Sequence, residues 1–248
     1  MGWLLSDEID MTAGPVQGAQ QQQQILASLP ADARLRYANY GKGVLFWETD
    51  AEAARFVNTY QDLTSADGYW YTDLNICSQY EGGALLAQKT RALTSSECHR
   101  AANYGAAVER MRSLVSPKGS KPIWAFVELG HPASESGWPT ITPAQARAAV
   151  WSSIIHGARG VIYFNHSFGG ACPSQHILRD PCYSSMRQTI TAVNAQIAQL
   201  APVLNSPSLV DLVGTSGKVD VLVKSRGGRL FVIAGSTATA AQTVSFNA

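Results

Sequence analysis

Residues 122–129 read Pro-Ile-Trp-Ala-Phe-Val-Glu-Leu. An unbroken apolar run meets a single carboxylate, Glu128, and closes on Leu129. Continuous rather than alternating apolarity is the mark of a strand buried on both faces, as in a parallel sheet. A carboxylate at the end of such a strand is costly unless it is paired or opens on a cleft. Helical signals bracket the run. Upstream, residues 96–115 carry Ala107, Val108, Met111 and Leu114 on one face at helical spacing. Downstream, Thr142-Pro143 is an N-cap followed by proline at the first helical position, and that helix extends to about His156. A second apolar strand at 160–165 and a helix at 184–200 follow.

Towards the N-terminus the same alternation repeats. A strand at 2–9 precedes a helix at 16–29, whose glutamine tract at 20–24 reads as a solvated face. A strand at 43–48 precedes a helix at 51–60, with Asp50 as its expected N-cap. A strand at 68–74 is rich in Tyr and Trp, as strands tend to be. Apolar strands alternating with amphipathic helices predict an α/β fold with a parallel sheet. After Pro202 the pattern changes to short runs at 209–213, 219–223, 230–233 and 243–246, with Gly227-Gly228 as a hairpin signal. The expected organisation is an α/β domain over 1–202 and a small antiparallel β segment over 203–248.

The chain has 248 residues, 46% apolar and 15% charged, enough to bury a sizeable core. Net charge is +1 with no basic stripe, which argues against nucleic-acid or anionic-membrane partners. No apolar run reaches the roughly 18 residues of a membrane span. The first residues carry neither a basic segment nor a cleavable apolar stretch. Cys77, Cys98, Cys172 and Cys182 lack CxxC spacing, and each pair falls in a segment read as loop. Proximity suggests two local disulfides, Cys77–Cys98 and Cys172–Cys182, and hence a secreted or cell-surface protein. Four partly buried thiols are the other reading.

Active sites of parallel α/β barrels lie at the carboxyl ends of the strands. The expected strands end in Asp7-Glu8, Trp47-Glu48, Tyr71 to Asp73, Glu128, and Asn165-His166. Glu128 and Glu8 are the candidate catalytic carboxylates. Asp7, Trp47, Tyr71, Asp73, Asn165 and His166 are the candidate substrate-binding residues. His131, His166 and His176 show no metal-ligand spacing, and no metal is expected.

Four segments resemble barrel glycosidases of the clan A type: Trp-Leu-Leu-Ser-Asp-Glu-Ile-Asp at 3–10, Pro-Ile-Trp-Ala-Phe-Val-Glu at 122–128, Ile-Thr-Pro-Ala-Gln-Ala-Arg-Ala-Ala-Val-Trp at 141–151, and Gly-Ala-Arg-Gly-Val-Ile-Tyr-Phe at 157–164. The resemblance implies strands four to eight of a (β/α)8 TIM-type barrel. A missing N-terminal portion or a partner would cover the open edges. It further implies a carbohydrate substrate and no cofactor. Glu8 would be the acid/base and Glu128 the nucleophile of retaining hydrolysis. Asp-Glu stands where these enzymes carry Asn-Glu. That pair also resembles substrate-assisted hexosaminidases, in which Asp7 would orient an acetamido group and Glu8 would be the acid. A non-catalytic glycan-binding or structural module is the third alternative.

Overall fold

A computed structural model describes residues 2–135 and 137–247. In chain order the elements begin with β1 (Gly2–Asp7), α1 (Ile9–Thr12), α2 (Gly14–Ser28), β2 (Leu35–Tyr40), a π-helix (Gly43–Trp47), α3 (Asp50–Thr59) and β3 (Leu63–Ala66). Next come α4 (Gly82–Leu86), α5 (Ser95–Cys98), α6 (Ala102–Leu114), β4 (Ile123–Glu128), α7 (Pro143–Ile155), β5 (Gly160–Phe164), a 3-10 turn (Pro181–Tyr183) and α8 (Ser184–Leu204). The C-terminal part adds β6 (Ser208–Leu209), β7 (Gly214–Thr215), β8 (Val219–Arg226), β9 (Arg229–Ser236) and β10 (Phe246–Asn247).

Strands β1 to β5 form one parallel sheet in chain order, curled into a half-barrel. This overturns the expectation of strands four to eight of a (β/α)8 barrel. Among the described residues the sheet has five strands paired in chain order, with β1 and β5 as unpaired edges. Two of the expected strands also lie elsewhere. The expected strand at 43–48 is instead the π-helix Gly43–Trp47, with Val44, Leu45 and Phe46 buried in succession. The buried Asp10 carboxylate accepts from the Val44 and Gly41 amides (2.8 and 3.1 Å) and holds that turn. The aromatic segment 68–74 is a turn and loop rather than the third strand. The third strand is Leu-Thr-Ser-Ala, whose Thr64 hydroxyl donates to the Ala38 carbonyl (2.8 Å).

The helices cover the outer face of the sheet. Ala38 and Tyr40 of β2 and Ile123, Ala125 and Val127 of β4 pack with Phe56, Val57, Met111, Val150 and Val193 into the main core. The buried Tyr40 hydroxyl donates to the Phe56 carbonyl (3.0 Å), so its polar tip costs little. Three helix starts are closed by capping boxes: Thr142 with Gln145, as the Thr-Pro signal predicts, Thr49 with Glu52, and Thr94 with Glu97. Thr49, not Asp50, is the N-cap of α3, because its hydroxyl reaches the Glu52 amide.

The inner face is only partly covered, leaving Tyr37, Trp124, Phe126, Ile162 and Phe164 half-exposed. Gly160 sits flat beneath the Trp124 indole, where a Cβ would stand 2.6 Å from the ring. The C-terminal strands build an antiparallel sheet ordered β6-β8-β9 and a separate β7–β10 ladder. Gly227 and Gly228 both take positive φ (57° and 71°), the turn that their adjacency predicts between β8 and β9. Among the described residues no helix is long and apolar enough to cross a membrane.

Candidate carboxylate site at the strand ends

Asp7 ends β1 in register with Asn39 of β2, which is in register with Ser65 of β3. A hydrogen-bonded row crosses the three strands. The Asn39 amide donates to Asp7 Oδ1 (2.9 Å), and Ser65 Oγ donates to Asn39 Oδ1 (2.5 Å). Ser65 spends its only proton there, so Tyr37 donates its own to Ser65 Oγ (2.5 Å).

Glu8 takes a left-handed backbone conformation (φ 50°), uncommon for a residue with a Cβ. Its amide still bonds to the Asn39 carbonyl as a strand residue would (3.0 Å). Its carbonyl accepts from Met11 and Thr12 (3.0 Å each), which starts α1. This turn abandons the alternation of the strand. Asp7 and Glu8, adjacent in sequence, therefore both act on the same neighbour, Asp67.

Asp67 follows β3 directly and is buried, with Oδ1 lacking a hydrogen-bond partner. Burial raises its carboxyl far above the usual carboxylate range, and the facing Glu8 carboxylate raises it further. Both effects favour the protonated form of Asp67 beside Glu8. Tyr69 stands next to it, its hydroxyl raised by burial, by Asp67, and then by Glu128 and Glu8. Tyr69 thus sits within electrostatic reach of two acidic centres.

Glu128, the last residue of β4, is the second centre and is completely buried. Its Oε1 accepts from Tyr104 (2.6 Å) and Thr72 (3.1 Å), whereas Oε2 has no partner. The Tyr71 amide donates to the Tyr104 hydroxyl (3.2 Å), so that hydroxyl must turn its own proton to Glu128. Burial pushes the Glu128 carboxyl up to about 7, against the downward pull of the Tyr104 hydrogen bond. On the same side of the sheet, Tyr69, Phe126 and Phe164 form an aromatic group with centroids 5.7–6.4 Å apart.

The other expected site residues divide. Tyr71 borders Glu128, its ring 5.6 Å from Tyr104. His166 lies at the end of the aromatic group, 5.4 Å from Phe164 and stacked on Phe168. Its Nδ1 is buried without a hydrogen-bond partner. Asn165 is turned to its own loop and accepts from the Leu178 amide (3.0 Å). Asp73 is buried in an ion cluster, where Lys42 bridges it to Glu81. Trp47 is exposed at the end of the π-helix and joins no aromatic pair with the described residues. Both disulfides are present, Cys77–Cys98 in the loop after β3 and Cys172–Cys182 in the loop after β5.

Sequence reasoning missed Asp67, Tyr104, Thr72 and the Tyr37–Asn39–Ser65 row. Asp67 carried a usable signal, an Asp-Gly step at 67–68 after a short β-compatible run, but placing the strand at 68–74 hid it. Tyr104 carried none, since it reaches Glu128 from the first turn of α6 through tertiary packing alone. A scan against protein-family models and a search of the curated proteins return no match to this chain.

Proposed function

We propose that this chain hydrolyses O-glycosidic bonds of a poly- or oligosaccharide by a retaining mechanism. The observation that carries this reading is the pairing of two unlike acidic centres around Tyr69. In one, Asp67 beside Glu8, burial and a like charge favour the protonated carboxyl. The other, Glu128, ionises near neutrality and has one free carboxylate oxygen. Acid–base hydrolysis of a glycoside needs such a division between a protonated and an ionised carboxyl.

In this mechanism Glu128 attacks the anomeric carbon as Glu8, supplied from Asp67, protonates the departing oxygen. The C–O bond breaks and a glycosyl ester forms on Glu128. Water, deprotonated by Glu8, then cleaves the ester and returns Glu128 as carboxylate. Tyr69, Phe126 and Phe164 offer aromatic faces to the C–H face of a sugar ring. Because Glu128 is sealed in this state, substrate entry requires the turn carrying Tyr69, Tyr71 and Thr72 to move. The two disulfides support a secreted or cell-surface location.

The test is reducing-end release from a panel of polysaccharides and aryl glycosides, using the wild type, Glu128→Gln and Glu8→Gln, with the product anomer read by NMR. Loss of turnover in both variants with retained folding, and retention of configuration, is the expected result. Activity confined to 2-acetamido sugars and indifferent to Glu128→Gln would transfer the chemistry to Asp7 and Glu8. The complete burial of Glu128 favours one second reading, a non-catalytic glycan-binding module in which this carboxyl is an internal strut. Saccharide binding without bond cleavage is its signature.

A further inference from the structure

At the opposite end of the sheet, the amino ends of β4 and β5 face the C-terminal β strands across a cleft of about 1120 Å³. Arg112 enters it from the last turn of α6, Lys121 from just before β4, Arg159 from just before β5, and Lys224 from β8. Two of the acids on these walls are already engaged. Glu109 and Asp220 lie 2.8 and 2.9 Å from Nδ1 and Nε2 of His156. Carboxylates only accept, so this geometry favours a ring that donates from both nitrogens, and the two hydrogen bonds raise its basicity.

The four cations make no such close pairs, although Asp62 acts on Lys121 at longer range and the exposed Asp211 also lines the cleft. Arg112 donates to the His156 carbonyl (2.8 Å), and Lys224 to Ser206 O and Ser208 Oγ (3.1 and 2.9 Å). All three acceptors are neutral. Among the described residues, no carboxylate forms an ion pair with Arg112, Lys121, Arg159 or Lys224. Lys121 Nζ is buried with no hydrogen-bond partner at all. Carbonyl dipoles at the ends of α6 and α7 offset about half a charge each, against three clustered full charges.

We propose that this cleft binds a multiply charged oxyanion of the sulfate or phosphate class, held by Arg112, Arg159 and Lys224. Lys121 lies further along the same wall. Such a ligand ties β8 to α6 and β5, and so fastens the C-terminal strands to the sheet. Lys224 already registers the missing countercharge: burial and then the adjacent Arg159 and Arg112 pull its ammonium below the ordinary lysine value. Burial brings Lys121 down to about 8. The inference does not rest on the hydrolase reading, because no residue of the Glu128 centre takes part.

Calorimetric titration with inorganic phosphate and with sulfate, at ionic strength fixed by chloride, tests it. Arg112 and Arg159 are exposed, so an Arg112→Gln/Arg159→Gln variant keeps the core intact. Binding by the wild type, weakened about tenfold to a hundredfold in that variant and unchanged in Lys218→Gln, is the expected result. Sulfate and phosphate also stabilise proteins by exclusion from their surface, so a melting shift counts only where the double variant loses it. Tighter binding of dextran sulfate than of free sulfate identifies a sulfated polymer as the source, and equal binding per sulfate identifies the free ion. No heat beyond that of chloride, or equal binding by wild type and double variant, overturns the proposal.

Discussion

The two ends of the parallel sheet carry opposite chemistry. At the carboxyl end, Asp67 and Glu128 are buried acids whose carboxyls burial raises above the ordinary range. At the amino end, Lys121 and Lys224 are cations with depressed affinity for their protons. The topology explains the direction of this asymmetry. Each helix follows a strand, so its N-terminus, with unsatisfied amides, faces the carboxyl end, and its carbonyls face the amino end. Anions suit the first end and cations the second. The loops differ in the same sense. Long connections follow β3 (67–101) and β5 (165–183), and both disulfides staple them, whereas β3 and β5 are entered from short turns at 60–62 and 156–159. Elaboration is concentrated where the acids are.

The largest expected break in this asymmetry is Glu128→Gln. If the acidic end is catalytic, turnover falls by about a hundredfold to ten-thousandfold with folding intact. Unchanged turnover in an active preparation removes Glu128 from the chemistry. The rate of the wild type should also rise with pH through about 7 as Glu128 ionises.

The same carboxyl makes a stability prediction of opposite sign. Its folded value lies above the 4.5 of an exposed glutamate, so its contribution is fully present below about 4.5 and lost as pH rises through about 7. The shift corresponds to roughly 3 kcal/mol. In denaturant titrations Glu128→Gln should therefore gain on the wild type between pH 5 and 8 (approximate bounds set by that linkage). Parallel pH profiles for the two proteins would mean that the carboxyl is solvated in solution.

A smaller effect tests whether the stapled loops hold the acidic end in place. Replacing Cys77 and Cys98 together by serine opens a 21-residue separation and should cost about 2–3 kcal/mol. Equal denaturation midpoints for the two proteins would show the loop to be held by its packing instead.

The smallest effect belongs to the basic end. His156 joins α7 to Glu109 of α6 and Asp220 of β8. Burial alone lowers its basicity, but the hydrogen bonds to Asp220 and Glu109 outweigh this and raise it. Its stabilisation is present below about 6.5 and lost as pH rises through the higher folded value. Asp220→Asn should remove roughly 1–2 kcal/mol at pH 6 and progressively less at higher pH. A pH-independent loss would assign Asp220 a packing role only.

Much of the carboxyl end was legible. Glu128 stood out because an apolar run cannot hide a carboxylate cheaply, and Glu8 because it closes the first strand. Their environments were not legible. Whether Asp7 and Glu8 could act on one neighbour depended on a left-handed turn at Glu8 that no residue type announces. Asp73 read like a ligand-binding carboxylate because its partner Lys42 lies far away in sequence. The basic cleft was invisible, since Arg112, Lys121, Arg159 and Lys224 are scattered over four elements and no stretch of chain is basic.

By itself the sequence determined the α/β alternation, the strands at 123–128 and 160–164, the helices that flank them, the Gly-Gly hairpin and the local cysteine pairs. All of these are settled by neighbours a few residues apart, or by loop closure too short to offer many alternatives. Only the tertiary structure decided that 43–47 coils while 35–40 and 63–66 extend, in what order the strands pair, and which carboxyls burial raises. Those outcomes depend on what each segment is buried against, and burial is a property of the assembled chain.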